Sequence, residues 1–202
     1  MGTKERRARE KESLRQEILD AARELFVEEG YENVSMRKIA EKIEYSPTTI
    51  YLYFKDKAEL LFSLTQESFA KLLQTLEAIP DQHRDPLRVL KECGRAYIRF
   101  GLKYPNDYRV TFMMPVDLVQ PRAHQYQGST GERAFNHLRE AVAECVRQKK
   151  FRRVDIDLTS QSLWAAMHGL TSLFIAHPNF PWADRERLID HLLETQIKGL
   201  KA

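Results

Sequence analysis

Residues 35–57 are the part of the sequence that is most informative about the fold; they read SMRKIAEKIEYSPTTIYLYFKDK. Its first half predicts a helix over about residues 36–43, because apolar residues recur at the three- and four-residue spacing of one helix face. These apolar residues are Ile39, Ala40 and Ile43. A second helix is predicted to begin at Ser46 and Pro47, since a serine hydroxyl caps free amides and proline at the first helical position gives up no hydrogen bond. Two short helices with a tight connection are typical of a helix-turn-helix.

The second helix of this pair carries hydroxyl groups, and cations flank it. Thr48 and Thr49 follow the proline, while Ile50 and Phe54 share a face that we expect to turn inward. Basic residues stand on both sides of the helix: Arg37, Lys38, Lys55 and Lys57. Hydroxyl groups and cations on a helix-turn-helix are the groups that contact DNA phosphates.

Residues 13 to about 64 resemble the DNA-binding domain of the TetR family of bacterial transcriptional regulators. The matching pieces are ILDAARELFVEEGYENVSMRKIAEKI and SPTTIYLYFKDKAEL. The family often has glycine in the connection between the two helices, where this chain has Glu44. Further along, Trp164, His168 and Gly169 in LWAAMHGLTSL, with YPNDYRVTFM upstream, are similar to the regulatory domain called WHG in some TetR regulators.

The resemblance and the helical periodicity together imply an all-α fold. We expect an N-terminal three-helix helix-turn-helix DNA-binding head and a C-terminal helical ligand-binding and dimerisation domain. The predicted divisions are a basic N-terminal arm over 1–12, the DNA-binding domain over 13–56, and the helical regulatory and dimerisation domain over 57–202.

The first helix is predicted to begin at Ser13, which forms a capping box with Gln16, and to end at Gly30. The residues before Ser13 are expected to be frayed, or helical only in continuity with this helix. They are interpreted equally as an arm that reaches DNA phosphates and as a solubilising tail. A fourth helix, about 57–78, is expected to stop at Pro80, and residues 115–131 are interpreted mainly as a loop.

The charge balance does not by itself indicate a nucleic-acid partner. The net charge is +3, and residues 1–60 hold 12 basic and 13 acidic groups. The charge is segregated, however: residues 4–15 hold six basic and three acidic groups, whereas residues 16–32 hold one and six. Without the helix-turn-helix, a solvated surface of mixed charge would be the favoured interpretation.

Several protein classes are excluded by missing features. The N-terminus has no apolar core of a signal peptide, and no apolar run approaches the ~18 residues of a membrane span. Only Cys93 and Cys145 are present, far apart, which suits a reducing compartment and a cytoplasmic location. There is no G-x-S-x-G, phosphate loop or H-E-x-x-H motif, so we predict neither an enzyme nor a cofactor or metal site.

The family resemblance implies a set of DNA-contacting residues, carried over position by position. They are Ser35, Arg37, Ser46, Thr48, Thr49, Tyr51, Tyr53, Lys55 and Lys57. For Tyr51 and Tyr53 the alternative is core packing, and we expect at least one of them to contact DNA. The recognition helix has no Arg, Asn or Gln, the side chains that make bidentate base contacts, so direct readout is predicted to be modest.

The C-terminal part is predicted to bind a largely apolar small molecule and a second copy of the chain. Candidate ligand-binding residues are Tyr97, Phe112, Met113, Trp164 and His168; ordinary core packing is the alternative for each. Candidate dimer-interface residues on the last two helices are Ala166, Leu170, Leu173, Leu188, Leu192 and Leu193, with burial in the monomer as the alternative.

The function implied by the resemblance is that of a homodimeric repressor of transcription. It would occupy a palindromic double-stranded operator and leave it when a small-molecule effector binds the C-terminal domain. The alternative is a helical protein-interaction module that has lost DNA binding.

Overall fold

A computed structural model of the chain describes residues 3–79, 84–114 and 128–202. The order of elements is α1 (Thr3–Glu29), a 3₁₀ turn (Tyr31–Asn33), α2 (Met36–Lys42), α3 (Pro47–Tyr51), α4 (Lys57–Glu77), α5 (Pro86–Lys103), α6 (Pro105–Tyr108), a π-helical turn (Arg109–Met113), α7 (Thr130–Arg147), α8 (Ile156–Ala176) and α9 (Arg185–Leu200). The described part of the chain contains no strand beyond one isolated bridge between Phe151 and Lys201. The all-α prediction is confirmed. Pro80 and most of the predicted loop 115–131 lie outside the described residues.

The chain divides into two compact units. The first unit comprises Met1–Ser68 and Asn106–Ala123, and the second comprises Phe69–Pro105 and His124–Ala202. The change from one unit to the other therefore falls inside α4 along the sequence. The sequence-based limits differ, because they assign everything after residue 56 to the second domain.

The first helix begins earlier than the sequence analysis predicted. α1 starts at Thr3, so Ser13 lies inside the helix and the predicted capping box is wrong. Lys, Arg and Glu are good helix formers, and pairs four residues apart add support, as Arg6 Nε and Glu10 do at 3.3 Å. The N-terminal arm is therefore part of α1.

The apolar core of the first unit is formed where α1, α2, α3 and α4 meet. Its fully buried members are Ile18, Leu19, Ala22, Ile39, Ala40, Ile50, Leu60, Leu61, Leu64 and Val110. Phe26 and Phe54 are almost completely buried beside them. The inward face predicted for Ile50 and Phe54 is confirmed, and it determines which side of α3 is left outside.

The first unit also holds a partly buried cluster of charges. The Arg23 guanidinium of α1 lies 3.2 Å from the Glu67 carboxylate of α4 and 3.5 Å from the Asp107 carboxylate of α6, and it also pairs with Asp20. Asp107 accepts a hydrogen bond from the Ser68 hydroxyl at 3.1 Å and is buried. Because these groups belong to three helices, the cluster ties α1, α4 and α6 together.

In the second unit, α5 packs against α7, α8 and α9. A Cβ built at Gly94 on α5 would meet Leu193 Cδ2 at 2.6 Å and Met167 Sδ at 2.9 Å, so any larger residue would force these side chains to shift. Buried apolar side chains of the four helices complete the core: Leu90, Tyr97, Ile98, Leu138, Val142, Leu163, Phe174, Ile189 and Ile197.

Candidate nucleic-acid interface

The start of α2 is capped by Ser35. Ser35 has extended backbone angles, φ −121° and ψ 159°, and its hydroxyl accepts the amide hydrogen of Lys38 at 3.2 Å. Ser35 is exposed, and it stands at a helix start, where the first amides have no partner within the helix. A phosphate oxygen is a suitable acceptor for amides in this position.

The turn between α2 and α3 is closed by a Schellman motif. The Tyr45 amide donates to the Ala40 carbonyl at 3.0 Å, and the Glu44 amide donates to the Glu41 carbonyl at 3.2 Å. This motif needs a left-handed residue after the helix, and Glu44 has φ +60°. The departure from glycine therefore leaves the turn intact but places a side chain where glycine is favoured.

The start of α3 follows the predicted Ser-Pro pattern. The Ser46 hydroxyl accepts the Thr49 amide at 3.2 Å and lies 2.9 Å from the Thr49 hydroxyl, while Pro47 occupies the first turn. The two hydroxyls thus bind each other in this conformation. Thr48, by contrast, is exposed.

Tyr51, the last residue of the recognition helix α3, and Tyr53, two residues beyond it, have different environments. Tyr51 is 55% exposed, whereas Tyr53 is half-buried and packs against the apolar core of the first unit. The packing alternative therefore suits Tyr53, and Tyr51 is the tyrosine whose surface is open to a partner.

The flanking cations also differ in what they are free to do. Arg37 and Lys55 are exposed; Arg37 Nε lies 2.8 Å from the Glu41 carboxylate, and Lys55 Nζ lies 4.0 Å from that of Asp56. Surface pairs of this kind contribute little free energy, so both cations can turn to a phosphate.

Lys57 is held inside the first unit. Its ammonium donates to the carbonyls of Tyr31 and Val34, the latter at 2.8 Å, and lies 4.1 Å from the centroid of the Tyr31 ring. It therefore fastens the start of α4 to the segment before α2. The DNA contact expected of Lys57 stays a prediction, and this conformation favours a structural role.

Sequence reasoning missed two exposed side chains on the same surface, Tyr45 and Leu52. Leu52 caps the C-terminus of α3 and is 75% exposed, and Tyr45 precedes the helix and is 43% exposed. The spacing held a usable signal: a residue two positions from the inward Ile50 must lie on the opposite side of a helix. The sequence prediction selected hydroxyl and basic side chains and therefore left Tyr45 and Leu52 out.

Three of the predicted ligand-binding residues lie together in the second unit. The Trp164 indole N–H donates to the Tyr97 hydroxyl at 3.0 Å, and this hydroxyl lies 3.4 Å from His168 Nδ1. Nε2 of the same imidazole lies 3.3 Å from the Ser172 hydroxyl. Burial lowers the pKa of His168, so its imidazole is neutral at pH 7 and both donates and accepts.

The other two, Phe112 and Met113, belong to the first unit. Phe112 packs on Tyr108 with ring centroids 4.9 Å apart, and Met113 is exposed. A surface concavity of about 490 Å³ also lies in the first unit, beside α1 and the end of α2. Its lining includes Glu17, Asp20, Glu24 and Lys42, an acidic surface that suits neither a phosphate nor an apolar ligand.

The predicted dimer residues divide between surface and core. Leu173 is 47% exposed, while Ala166, Leu170, Leu188 and Leu192 are half-buried. Leu193 is buried against Gly94 within its own protomer, and we remove it from the proposed interface. Its place in the helical repeat could not reveal that a glycine on α5 lies beside it.

Two further properties bear on the choice of function. Within residues 3–79, 84–114 and 128–202, no helix is both long enough and apolar enough to cross a bilayer. Over the same ranges, no three His, Cys, Asp or Glu side chains are grouped so as to hold a metal ion.

The fold and the geometry of α2 and α3 define a protein of the helix-turn-helix class. The family model for bacterial regulatory proteins of the TetR family matches residues 18–64, and the model for the tetracyclin repressor-like C-terminal domain matches residues 90–196, just over half of the chain. The chain therefore belongs to the TetR family, and the resemblance drawn from the sequence is confirmed. The family consists of regulatory proteins, which confirms that the chain is not an enzyme. The WHG subtype stays a prediction.

Individual relatives agree with this assignment. An HTH-type transcriptional regulator of Staphylococcus aureus (strain bovine RF122 / ET3-1) is 36% identical over 77 residues, or 38% of this chain and 42% of that protein. The chain thus matches less than half the length of this curated relative.

Solved structures are similar over much more of the chain. The fatty acid degradation regulator FadR of Bacillus halodurans has a TM-score of 0.76 at 20% identity, covering 91% of this chain and 94% of that one. FadR of Bacillus subtilis, solved in complex with stearoyl-CoA, has a TM-score of 0.75 at 21% identity, covering 92% and 98%. At these identities the likeness establishes the fold alone.

Proposed function

We propose that this chain is a transcriptional repressor that binds a palindromic DNA operator as a homodimer and is released by a small-molecule effector. The observation that carries the proposal is the capped pair α2 and α3, in which α3 exposes hydroxyls and no charged side chain while the cations Arg37 and Lys55 are exposed before and after it. Membership of a family of bacterial regulatory proteins supports it. A cytoplasmic location accords with such a role.

The DNA contacts fall into two groups. Ser35, Arg37 and Lys55 supply phosphate contacts, since they combine free amides or cations with exposure. Thr48 and Tyr51 face the major groove from the exposed side of α3. Ser46 and Thr49 join them once their mutual hydroxyl contact opens, and Tyr53 and Lys57 support the head from within.

Homodimerisation follows from the geometry of operators. Two recognition helices must enter successive major grooves about 34–36 Å apart, which one head cannot do. The surface we assign to the dimer carries Ala166, Leu170, Leu173, Leu188 and Leu192 on α8 and α9. On α8, a Cβ built at Gly169 would meet nothing within 4 Å, so a second helix can approach closely there.

We propose that the effector site lies at Tyr97, Trp164 and His168 in the second unit. Their hydrogen bonds form a short polar chain beside apolar rings, with Phe135 and Trp164 centroids 6.0 Å apart. Neutral polar groups set among aromatic rings suit a largely apolar ligand with one polar end. Bacillus subtilis FadR was solved with stearoyl-CoA, which makes a long-chain acyl thioester the first probe.

Fluorescence of Trp164 tests this site. In a Trp182→Phe background, Trp164 is the one remaining tryptophan, and stearoyl-CoA is expected to change its emission and weaken DNA binding together. The matched control, Trp164→Phe with Trp182 kept, is expected to show no change of emission when stearoyl-CoA is added. If emission does not respond to stearoyl-CoA or to shorter acyl thioesters, the acyl-thioester class is excluded.

A pair of double variants tests the DNA-binding function. A duplex is first selected from a random library by the full-length chain. Arg37→Ala/Lys55→Ala is expected to weaken its binding and to reduce the slope of log affinity against log salt by about 3.6, since a dimer loses four phosphate contacts and each contributes about 0.9. The matched control Lys150→Ala/Arg152→Ala removes the same charge from an exposed segment of the second unit and is expected to leave the slope unchanged.

The alternative, a helical interaction module that has lost DNA binding, makes the opposite prediction. Such a protein would retain no duplex from the library at low salt. The exposed cations and hydroxyls of the first unit disfavour it, because nothing in a protein-only interface requires that combination.

A further inference from the structure

The outermost ridge of the recognition helix α3 combines one polar and one apolar side chain. Successive helical residues turn by about 100°, so Thr48 and Leu52, two positions before and after Ile50, lie nearly opposite that buried side chain. Leu52 retains helical backbone angles, φ −73° and ψ −18°, and so continues this geometry. Thr48 and Leu52 are therefore the side chains that project farthest from the core of the first unit.

Leu52 is unusually exposed for an aliphatic side chain. It is 75% exposed, and Tyr45 and Tyr51 at 43% and 55% lie within the same eight residues. Single exposed apolar residues are ordinary, but a cluster marks a binding surface. Among the described residues of the first unit, Met113 is the other large apolar side chain exposed to this degree.

The side chains of this surface restrict which DNA bases it can recognise. Residues 46–54 contain no charged and no amide side chain, so no bidentate contact to guanine or adenine is available there. The C5 methyl of thymine is the apolar feature that the major groove offers. Resting on the proposed function, we infer that Leu52, with the methyl group of Thr48, contacts a thymine methyl and is a specificity-determining residue of the operator half-site.

Charge favours DNA over a protein partner as the occupant of this patch. Residues 35–57 hold five basic and three acidic side chains, and the exposed Arg37 and Lys55 border the apolar ridge. Cations beside an apolar ridge match a groove floor that carries methyl groups between two phosphate backbones. A partner protein with an apolar groove would gain nothing from these cations.

Replacing thymine by deoxyuridine tests the contact, because it removes the C5 methyl and nothing else. Each thymine of a duplex selected by the full-length chain is replaced in turn, together with its symmetry mate. At one symmetric pair of positions the wild-type Kd is expected to rise about 16-fold, because two buried methyl groups are lost and each contributes about four-fold. Leu52→Ala removes the contact in both half-sites, so it is expected to bind the thymine duplex about 16-fold more weakly and to lose most of its sensitivity to deoxyuridine there.

Leu52→Met serves as the matched control, since it keeps an apolar side chain of similar volume and should retain sensitivity to the methyl group. Leu52 is exposed, so neither substitution is expected to disturb folding, which circular dichroism checks. If the wild type is insensitive at every thymine, or if wild type and Leu52→Ala lose affinity equally, the inference is overturned. If no duplex is retained at low salt, the DNA-binding function itself fails, and the two failures are thus distinguishable.

Discussion

The first and second units both expose large apolar side chains, but the surroundings of those side chains differ. Leu52 in the first unit lies among hydroxyls, with Arg37 and Lys55 exposed at either end of the helix-turn-helix. Leu173 in the second unit lies on a helix that carries Gly169 and further half-buried apolar residues. Apolar exposure alone therefore does not identify a partner. The groups that border it indicate a polyanion in one case and a second helix in the other.

The largest expected effect comes from placing the same charge on each surface. Leu173→Glu is expected to weaken dimerisation by about 100-fold or more, because a lone carboxylate would be buried between protomers. Leu52→Glu is expected to leave the dimer intact and to weaken duplex binding by about ten-fold or more, because it opposes the phosphates. Sedimentation velocity measures the first effect, and fluorescence anisotropy with a selected duplex measures the second.

The crossed design makes each variant the control for the other. A change of mass in Leu52→Glu, or an unchanged mass in Leu173→Glu, would contradict the assignment of the two surfaces. A loss of DNA binding in Leu173→Glu is expected as well, since a monomer occupies one half-site.

A partly buried charge cluster in the first unit can be compared with a surface ion pair in the second. Arg23→Met is expected to lower the free energy of unfolding by about 3 kcal/mol, because it removes the guanidinium beside the buried Asp107 carboxylate and leaves Glu67 with Arg15. Arg147→Met removes one partner of Glu144 on the surface of the second unit and is expected to leave the free energy of unfolding almost unchanged. Urea unfolding followed by circular dichroism compares them, and equal effects would argue against a structural role for the buried cluster.

Alanine substitutions at two helical glycines compare the core of the second unit with its proposed dimer face. Gly94→Ala is expected to destabilise the fold by about 1–3 kcal/mol, because its Cβ would lie 2.6 Å from a Leu193 methyl group. Gly169→Ala meets nothing within 4 Å and is expected to leave the fold as stable or up to about 1 kcal/mol more stable, while it weakens self-association. Thermal melts and sedimentation at matched concentrations separate these outcomes. Destabilisation by Gly169→Ala would place that residue in a core contact instead.

The smallest expected effects concern two helix ends built alike, one in each unit. Glu44 and Lys149 both have positive φ, +60° and +54°, in a position that normally holds glycine. At the end of α7 the Lys150 amide donates to the Cys145 carbonyl at 2.9 Å. At the end of α2 the Tyr45 amide donates to the Ala40 carbonyl in the same way. Glycine at either position is expected to raise the free energy of unfolding by up to about 1 kcal/mol. A destabilising result in urea unfolding would show that the replaced side chain contributes a contact of its own.

Local features of the first unit could be predicted from sequence because short-range rules govern them. The cap at Ser46 and the inward face of Ile50 and Phe54 follow from residues within one or two turns of each other. The start of α1 was less determined, because the residues before Ser13 were expected to be either frayed or helical in continuity with it. A capping signal at Ser13 competed with good helix formers on both sides, and helix propagation prevailed.

Tertiary features were not accessible from the same patterns. Nothing near Leu193 in the sequence indicates Gly94, and nothing near Lys57 indicates the carbonyls of Tyr31 and Val34. An apolar stripe reports that a side chain is to be buried, not whether its partner lies in the same protomer. The exposure of Leu52 is the converse case: its aliphatic side chain favours burial, whereas its position two residues from the inward Ile50 indicates the outer side of the helix.

The central claim is that the first unit binds DNA as part of a dimer, and one titration tests it most directly. The purified protein is mixed with the DNA that flanks its own gene, and binding is followed against salt concentration, with the number of protomers per duplex measured at each plateau. The account predicts specific half-sites, two or more protomers per duplex and an affinity that falls steeply with salt. Binding that is absent at low salt with effector-free protein, or that ignores salt, would contradict it.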